Sequence, residues 1–140
     1  MGLANAVAPR SRFLRLADLS YGPSPFHRYD LYHPTAPRDG APLVVFFHGG
    51  GFTGGTDIGW MLFVAEALIT LGGPVALPRY RLAPAVRWPA FVEDGAAAVQ
   101  HLRSGAAPGL AAGRNVVLAG FSAGGFIAAA LAADPRWLGT

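Results

Sequence analysis

Apolar residues along this chain occur in short runs bounded by turn residues and in longer stretches at helical spacing. The short runs are typical of strands in a buried sheet and the longer stretches of helices that cover it. We predict strands at Phe13 to Leu19, Phe26 to Tyr32, Leu43 to Phe47, Val75 to Leu77 and Val116 to Ala119. We predict helices at Trp60 to Leu71, Pro89 to Leu102 and Ala123 to Ala133.

The order of these elements predicts an α/β domain. The first two strands flank the run Tyr21-Gly22-Pro23-Ser24-Pro25, so we expect an antiparallel hairpin at a sheet edge. The later strands alternate with helices, which indicates right-handed βαβ units, a mostly parallel sheet and helices on both faces. Residues 12–140 are predicted to form the domain and residues 1–11 a tail before it.

Composition narrows the function classes. The chain has 140 residues, of which 52% are hydrophobic and 14% charged, enough for one domain with a substantial core. Its 11 basic residues are all arginines, scattered along the chain at a net charge of +3, so we predict no nucleic-acid partner. It has no cysteine, which excludes disulfides, thiolate catalysis and cysteine metal sites.

Two segments bear on localisation. Residues 1–11 contain no apolar core of signal-peptide length, so no secretory signal is predicted. Val116 to Ala133 contains no charge, but its β-branched start, central glycines and alanine-rich end indicate a strand that turns into a helix. We therefore expect a cytoplasmic protein with no membrane span.

A glycine-rich loop after the strand Leu43 to Phe47 fits two patterns. From Gly49 to Gly54 it matches the GxGxxG pattern of dinucleotide sites, but the acidic residue expected about 20 positions later is missing. The next strand ends instead in Pro78-Arg79-Tyr80-Arg81. The same loop, written from the residue before it, is an oxyanion-loop motif, His48-Gly49-Gly50-Gly51-Phe52.

A second glycine motif, Gly120-Phe121-Ser122-Ala123-Gly124, lies between a predicted strand and a predicted helix, the context of a nucleophile elbow. Gly120 and Gly124 are small enough to let strand and helix approach each other. The helix N-terminus favours negative charge on a reacting oxygen. A lone GxSxG also occurs where a loop packs closely, but this one follows the first glycine motif by about 70 residues, as in HGGG-type esterases.

With these two motifs the chain resembles the hormone-sensitive-lipase and carboxylesterase branch of the α/β-hydrolase superfamily. The resemblance also includes Tyr80-Arg81-Leu82-Ala83-Pro84. It implies the N-terminal part of an α/β-hydrolase fold that hydrolyses small-molecule carboxylic esters through an acyl-enzyme, with no metal or organic cofactor. The implied roles are Ser122 as nucleophile, the N–H groups of Gly50, Gly51 and Ala123 as oxyanion hole, and His48, Gly49, Gly120 and Gly124 as structural support.

Two groups of residues each allow two interpretations. Glu93 and Asp94 are either the counterpart of an acidic pair in the family or charges that favour a helix N-terminus. Phe52, Trp60 and Trp88 either line an acyl or alcohol pocket or pack in the core.

The chain departs from the family at both ends. Only about a dozen residues precede the first strand, so the cap helices of capped relatives are missing or minimal. In this fold the acid and the histidine follow the serine in the chain. Here all four histidines precede Ser122, and the one later acid, Asp134, stands before Pro135 as a helix terminator.

We therefore expect the 140 residues to be the N-terminal part of a longer esterase whose acid and base lie beyond Thr140. Alone, the chain is expected to be nearly inactive and poorly soluble, with β-strand Val116 to Ala119 as an exposed apolar edge. The alternative is a non-catalytic ligand-binding or degenerate protein on the same scaffold. The oligomeric state is not predicted by these patterns.

Overall fold

The computed structural model describes residues 12–56 and 61–139. The predicted tail 1–11 and Trp60 therefore lie outside the described residues. The strands are β1 (Phe13–Ser20), β2 (Arg28–Pro34), β3 (Leu43–Phe47), β4 (Val75–Pro78) and β5 (Val116–Gly120). The helices are α1 (Leu62–Leu68), which continues into a 3₁₀ turn (Ile69–Leu71), α2 (Ala90–Arg103), and α3 (Ala123–Ala133), which precedes a second 3₁₀ turn (Pro135–Trp137).

The five strands form one mixed sheet in the order β1-β2-β4-β3-β5. β1 pairs antiparallel with β2, and β2 pairs antiparallel with β4. β4, β3 and β5 run parallel, because α1 and α2 carry the chain back across the sheet between them. The predicted α/β class, the first hairpin and the parallel strands that follow are confirmed.

Helices cover both faces of this sheet. The pleat sends alternate side chains of β3 to opposite faces, so Val44 packs with α1 while Val45 and Phe47 pack with α2 and α3. All three side chains are buried. This explains why β3 is a continuous apolar run rather than an alternating one.

The helix limits differ little from those predicted. α3 has the predicted bounds and α2 is displaced by one residue. The first helix was predicted as one element to Leu71, whereas its last three residues form a tighter 3₁₀ turn ended by Gly72 at φ 86°. None of the helices in the described ranges has the length and apolar content needed to cross a membrane.

The two edges of the sheet differ in chemistry. β1 carries Arg15 and Asp18 and has an irregular register with β2. Asp18 adopts φ 58° there, and its N–H donates to the buried Asp30 carboxylate at 2.9 Å. Charges and bulges of this kind discourage further strand pairing. β5 contains neither, and within the described ranges no strand covers its outer side, where Val117 is 47% exposed.

Because β5 is an unprotected apolar edge, we expect the isolated chain to self-associate through it. Val117→Lys should raise the monomer fraction several-fold in sedimentation velocity, since a charge opposes edge-to-edge pairing. The matched control is Leu14→Lys, at a side chain 59% exposed on β1, which should change nothing. An equal effect of both substitutions would show that association is not specific to β5.

Candidate active site

Ser122 lies in a sharp turn between β5 and α3. Its backbone has φ 52° and ψ −116°, a conformation that few residues with a side chain adopt and that costs about 1–3 kcal/mol. Gly124 N–H donates to Phe121 O at 2.9 Å and Phe126 N–H to Ser122 O at 3.0 Å, so the helix begins directly after the turn. The side chain of Ser122 is exposed at the carboxyl ends of the parallel strands.

Two glycines make this turn possible by close backbone approach. A Cβ atom on Gly120 would lie 2.3 Å from Gly124 O, within the turn itself. A Cβ on Gly124 would lie 2.0 Å from Phe47 O and 2.5 Å from His48 O. α3 therefore packs by its backbone against the end of β3, where only glycine fits.

The glycine loop after β3 lies against the same turn. A Cβ on Gly49 would be 3.4 Å from the Cβ of Ser122 and 2.9 Å from the ring of Phe121. Gly50 and Gly51 follow at φ 124° and φ 62°, and the non-glycine Phe52 also has positive φ, at 63°. The loop is closed by hydrogen bonds from the N–H groups of Thr53 and Gly54 to Gly50 O.

Three predicted amide donors border this junction. Within the described ranges, the N–H groups of Gly50, Gly51 and Ala123 donate no backbone hydrogen bond. Gly50 and Gly51 are exposed, and Ala123 is the first residue of α3. Unsatisfied amides at a helix N-terminus and in a glycine loop are suited to bind an anion.

His48 supports the glycine loop from its buried side. Its ring is buried and stacks on Tyr80 with 4.4 Å between ring centroids. Nδ1 lies 2.7 Å from Gly49 O, so it donates to the loop, and burial lowers the pKa of the imidazole, which favours the neutral form. The Tyr80 hydroxyl donates to His48 O at 2.7 Å, and burial raises the pKa of this phenol, so it keeps its proton.

The interpretation of Glu93 and Asp94 as charges at a helix N-terminus is correct for Glu93 and wrong for Asp94. Glu93 is exposed in the first turn of α2, as a helix-terminal charge is, but Asp94 is buried. Its carboxylate accepts bonds from the N–H of Arg81 at 2.9 Å, from the Arg81 guanidinium at 2.8 Å and from His27 Nε2 at 3.0 Å. Nδ1 of His27 accepts from Ser24 N–H, which places the His27 proton on Nε2, facing Asp94.

This ion pair fixes the segment 80–84 to α2, and the segment in turn holds both ends of the glycine loop. Tyr80 binds His48 O, and Ala83 N–H donates to Phe52 O at 2.8 Å. Hydrogen bonds to Asp94 raise the pKa of Arg81, which stays charged. Sequence analysis left the role of Asp94 open between two interpretations and missed His27 as site support. The available signal was an acid at position 94 on the apolar stripe of α2, three residues after Phe91 and four before Ala98.

No acid or base accompanies Ser122 among the described residues. All four histidines are described, and none is hydrogen-bonded to Ser122: His27 bonds to Asp94, His33 to Pro108 O, His48 to Gly49 O and His101 to the Tyr29 hydroxyl. The Nε2 atom of His48 is buried without a hydrogen-bond partner. Asp134 accepts from the N–H of Arg136 after α3, which fits its predicted role as helix terminator. The described ranges also contain no cluster of three residues suited to hold a metal ion.

The aromatic residues divide between the two predicted roles. Phe52 is partly buried and stacks on the core residue Phe91 at 4.5 Å between centroids. Trp88 is 55% exposed and packs edge-on against Phe126, which is 52% exposed. Phe52 therefore joins the core to the surface, whereas Trp88 is not a core residue.

Comparison with known proteins assigns this chain to a fold family. A family model described as the α/β hydrolase fold matches residues 44–137, from β3 through the elbow helix. The chain belongs to the α/β-hydrolase fold family. It is 36% identical over 110 residues to carboxylesterase NlhH and 37% identical over 130 residues to esterase LipI, both from Mycobacterium tuberculosis. An inhibited esterase B from Lactobacillus rhamnosis superposes with a TM-score of 0.69 at 26% identity.

These matches cover 78%, 90% and 89% of this α/β-hydrolase chain, but only 34%, 40% and 42% of the respective relatives. The chain thus spans about two fifths of the length of the proteins it resembles, and by these relatives it is carboxylesterase-like. The dinucleotide interpretation of the glycine loop is wrong. In the fingerprint the glycine loop opens a helix, whereas here residues 54–56, directly after the loop, are not helical.

The packing of Gly124 on β3 predicts a large effect of one methyl group. Gly124→Ala should lower the free energy of unfolding by about 3 kcal/mol or more, because the new Cβ overlaps two fixed carbonyl groups. Gly125→Ala is the matched control, with its nearest neighbour, Gly120 O, at 3.3 Å, and should change stability by less than about 1 kcal/mol. Urea unfolding followed by circular dichroism measures both, and similar values would contradict the packing account.

Because the Asp94 carboxylate is buried, we expect substitution of Asp94 to lower stability more than substitution of the exposed Glu93. Asp94→Asn should lower the free energy of unfolding by about 2 kcal/mol, less than for a fully buried pair, because solvent reaches the Arg81 side chain, which is 34% exposed. Glu93→Gln, at the exposed neighbour, should stay within about 0.5 kcal/mol of the parent. Chemical denaturation of the two variants side by side tests this, and a loss at Glu93 equal to that at Asp94 would contradict it.

Proposed function

We propose that this chain supplies the nucleophile and the oxyanion hole of a serine carboxylesterase. The observation that carries the proposal is the contact of two loops: the strained Ser122 turn lies against Gly49, at the start of a loop with unpaired amides. Membership of the α/β-hydrolase family and the esterase relatives support it. The substrate class is a small-molecule carboxylic ester.

In the proposed reaction the Ser122 hydroxyl oxygen attacks the ester carbonyl carbon. The carbonyl oxygen becomes an oxyanion, which accepts hydrogen bonds from the N–H groups of Gly50, Gly51 and Ala123. Each such donor contributes about 2.7–4 kcal/mol to lowering the barrier. The oxyanion collapses as the bond to the alcohol oxygen breaks. A base that the described residues do not bring to Ser122 takes the serine proton and passes it to the leaving alcohol. The acyl group stays on Ser122, and water attacks it in a second, similar step that frees the acid and returns the proton to Ser122. His48, Gly49, Gly120 and Gly124 hold this geometry without reacting.

The isolated chain is proposed to be nearly inactive. Serine needs a base within hydrogen-bond reach to take its proton, and none of the four histidines is hydrogen-bonded to Ser122. Loss of the base in a comparable triad lowers turnover by a factor of about 10⁶. The same observation favours a second candidate function, ligand binding without catalysis, in which the amides hold an anion and Ser122 does not react.

A fusion protein that supplies an acid and a base distinguishes the two candidate functions. We expect the chain alone to hydrolyse p-nitrophenyl acetate no faster than its Ser122→Ala variant. Joined to the segment that follows the corresponding helix in carboxylesterase NlhH, it should gain turnover by several orders of magnitude, and Ser122→Ala should abolish the gain. The measurement is the release of p-nitrophenol, with unmodified NlhH as the positive control.

Three results would contradict the proposal in different ways. Turnover by the chain alone that depends on Ser122 would show that the chain is active without an added base. A fusion whose activity survives Ser122→Ala would exclude the nucleophile role. A folded but inactive fusion would favour binding without catalysis.

A further inference from the structure

Asp18 has an unusual backbone conformation for a strand residue. It lies in β1 with φ 58°, at the point where the register between β1 and β2 shifts. Residues with a side chain seldom adopt a positive φ, and a strand bulge can turn a side chain in a new direction. Here the Asp18 carboxylate accepts a hydrogen bond from Nη1 of Arg79, 61 residues later in the chain, at 2.9 Å. The irregular part of β1 thus contacts the residue that directly follows β4.

Arg79 is fixed by its backbone and makes two side-chain contacts. Its N–H donates to Arg28 O at 2.8 Å, and its carbonyl oxygen accepts from the Tyr21 hydroxyl. The guanidinium donates from Nη1 to Asp18 and from Nε to Thr56 O at 3.1 Å. Arg79 therefore connects the bulge of β1 with the segment that follows the glycine motif.

This segment, residues 54–56, packs tightly against the first residues of the glycine loop, and we call it the exit segment. A Cβ atom on Gly55 would lie 2.0 Å from Gly49 O, and one on Gly50 would lie 2.4 Å from Gly54 O. The N–H of Gly54 also donates to Gly50 O at 3.0 Å. Because the two parts of the loop touch by their backbones, a displacement of the exit segment displaces the start of the loop as well.

We infer that Arg79 is a positioning residue of the oxyanion hole and that Asp18 orients it. This inference rests on the proposed function, because the groups that are positioned are the N–H groups of Gly50 and Gly51. The Arg79 guanidinium holds the exit segment at Thr56 O, and the exit segment holds the loop. Arg79 acts through the backbone of the loop and does not itself bind the ester.

Exposure of the two side chains decides which contact has the larger effect. The side chain of Asp18 is 64% exposed and that of Arg79 is 23% exposed. An ion pair with so exposed a partner contributes little, whereas a hydrogen bond from a charged donor is stronger than one between neutral groups. We therefore expect loss of the Arg79 side chain to disturb the loop more than loss of the Asp18 carboxylate.

The test follows the amide signals of the 140-residue chain in heteronuclear NMR, with acetate as the anion probe. In the parent chain, acetate should shift the signals of Gly50, Gly51 and Ala123. Arg79→Ala should move the Gly50 and Gly51 signals before acetate is added and should weaken acetate binding at least about threefold, because a hydrogen bond from a charged donor is lost. The Ala123 signal should stay in place without acetate, since the elbow and not the loop sets its position.

Three further variants separate contact from charge. Arg79→Lys keeps the charge but lacks the guanidinium geometry that serves Thr56 and Asp18 together, so it should weaken acetate binding at least about twofold. Asp18→Gly removes the carboxylate at a φ that glycine adopts freely and should weaken binding about twofold. Arg38→Ala is the matched control, because Arg38 is exposed before β3 and forms no ion pair among the described residues. It should change neither the signals nor the affinity.

The outcomes distinguish this inference from the proposed function. If acetate shifts the three amides in the parent, but Arg79→Ala leaves the loop signals and the affinity unchanged, the positioning role is overturned and the oxyanion hole stands. Full affinity in Arg79→Lys together with a loss in Arg79→Ala shows an effect of charge alone and also overturns positioning. Absence of acetate shifts in the parent contradicts the oxyanion hole. If Arg79→Ala does not fold, unchanged loop signals in both Arg79→Lys and Asp18→Gly overturn the inference.

Discussion

The backbone contact between the start of α3 and the end of β3 is the constraint from which the rest of this site follows. Gly124 lies so close to the carbonyl groups of Phe47 and His48 that a methyl group has no room there. This contact sets the position of the elbow relative to the glycine loop, since the loop begins at the same two carbonyls. Ser122 then has only the space of a tight turn between β5 and the helix, and its strained φ and ψ are the consequence. The packing of Gly124 on β3 holds Ser122 in this strained conformation, and the hydrogen bonds at the start of α3 stabilise the turn.

Charged and hydrogen-bonded side chains around Asp94 hold the other side of the glycine loop. Asp94 is buried in α2, yet all its bonds reach outward, to Arg81 and to His27 of the first hairpin. Through Tyr80 and Ala83 the same segment binds the backbone at both ends of the glycine loop. A buried carboxylate is costly unless it is fully bonded, and here the bonds join three parts of the chain that are far apart in sequence. The position of the loop thus depends on elements that contain none of its motif residues.

Much of this architecture could be predicted from the sequence because its signals are local. The apolar run of β3, the alanine-rich α3 and the glycines at the elbow each reflect their immediate environment, and β3 and α3 have the predicted limits. The packing at Gly120 and Gly124 follows the small-residue argument made from the motif. What could not be predicted depends on contacts distant in sequence: the engagement of His27 with Asp94, 67 residues away, or the meeting of Phe126 with Trp88. A helix-terminal charge and a buried ion-pair partner look alike in sequence, and only the apolar stripe around position 94 distinguishes them.

The histidines show why the geometry of Ser122, the proposed nucleophile, and its reactivity are separate properties. A general base needs a free ring nitrogen within reach of the serine hydroxyl. His48 donates Nδ1 to Gly49 O, its Nε2 is buried without a hydrogen-bond partner, and burial lowers the pKa of the ring, so His48 is a neutral support of the loop that is not hydrogen-bonded to Ser122. His27 uses both nitrogens, one toward Ser24 and one toward Asp94. The turn at Ser122 is nevertheless fully formed, because glycine packing and backbone hydrogen bonds impose it and no catalytic residue takes part. The geometry of the Ser122 turn is therefore a property of the fold, whereas the base that the proposed reaction requires is not brought to Ser122 by the described residues.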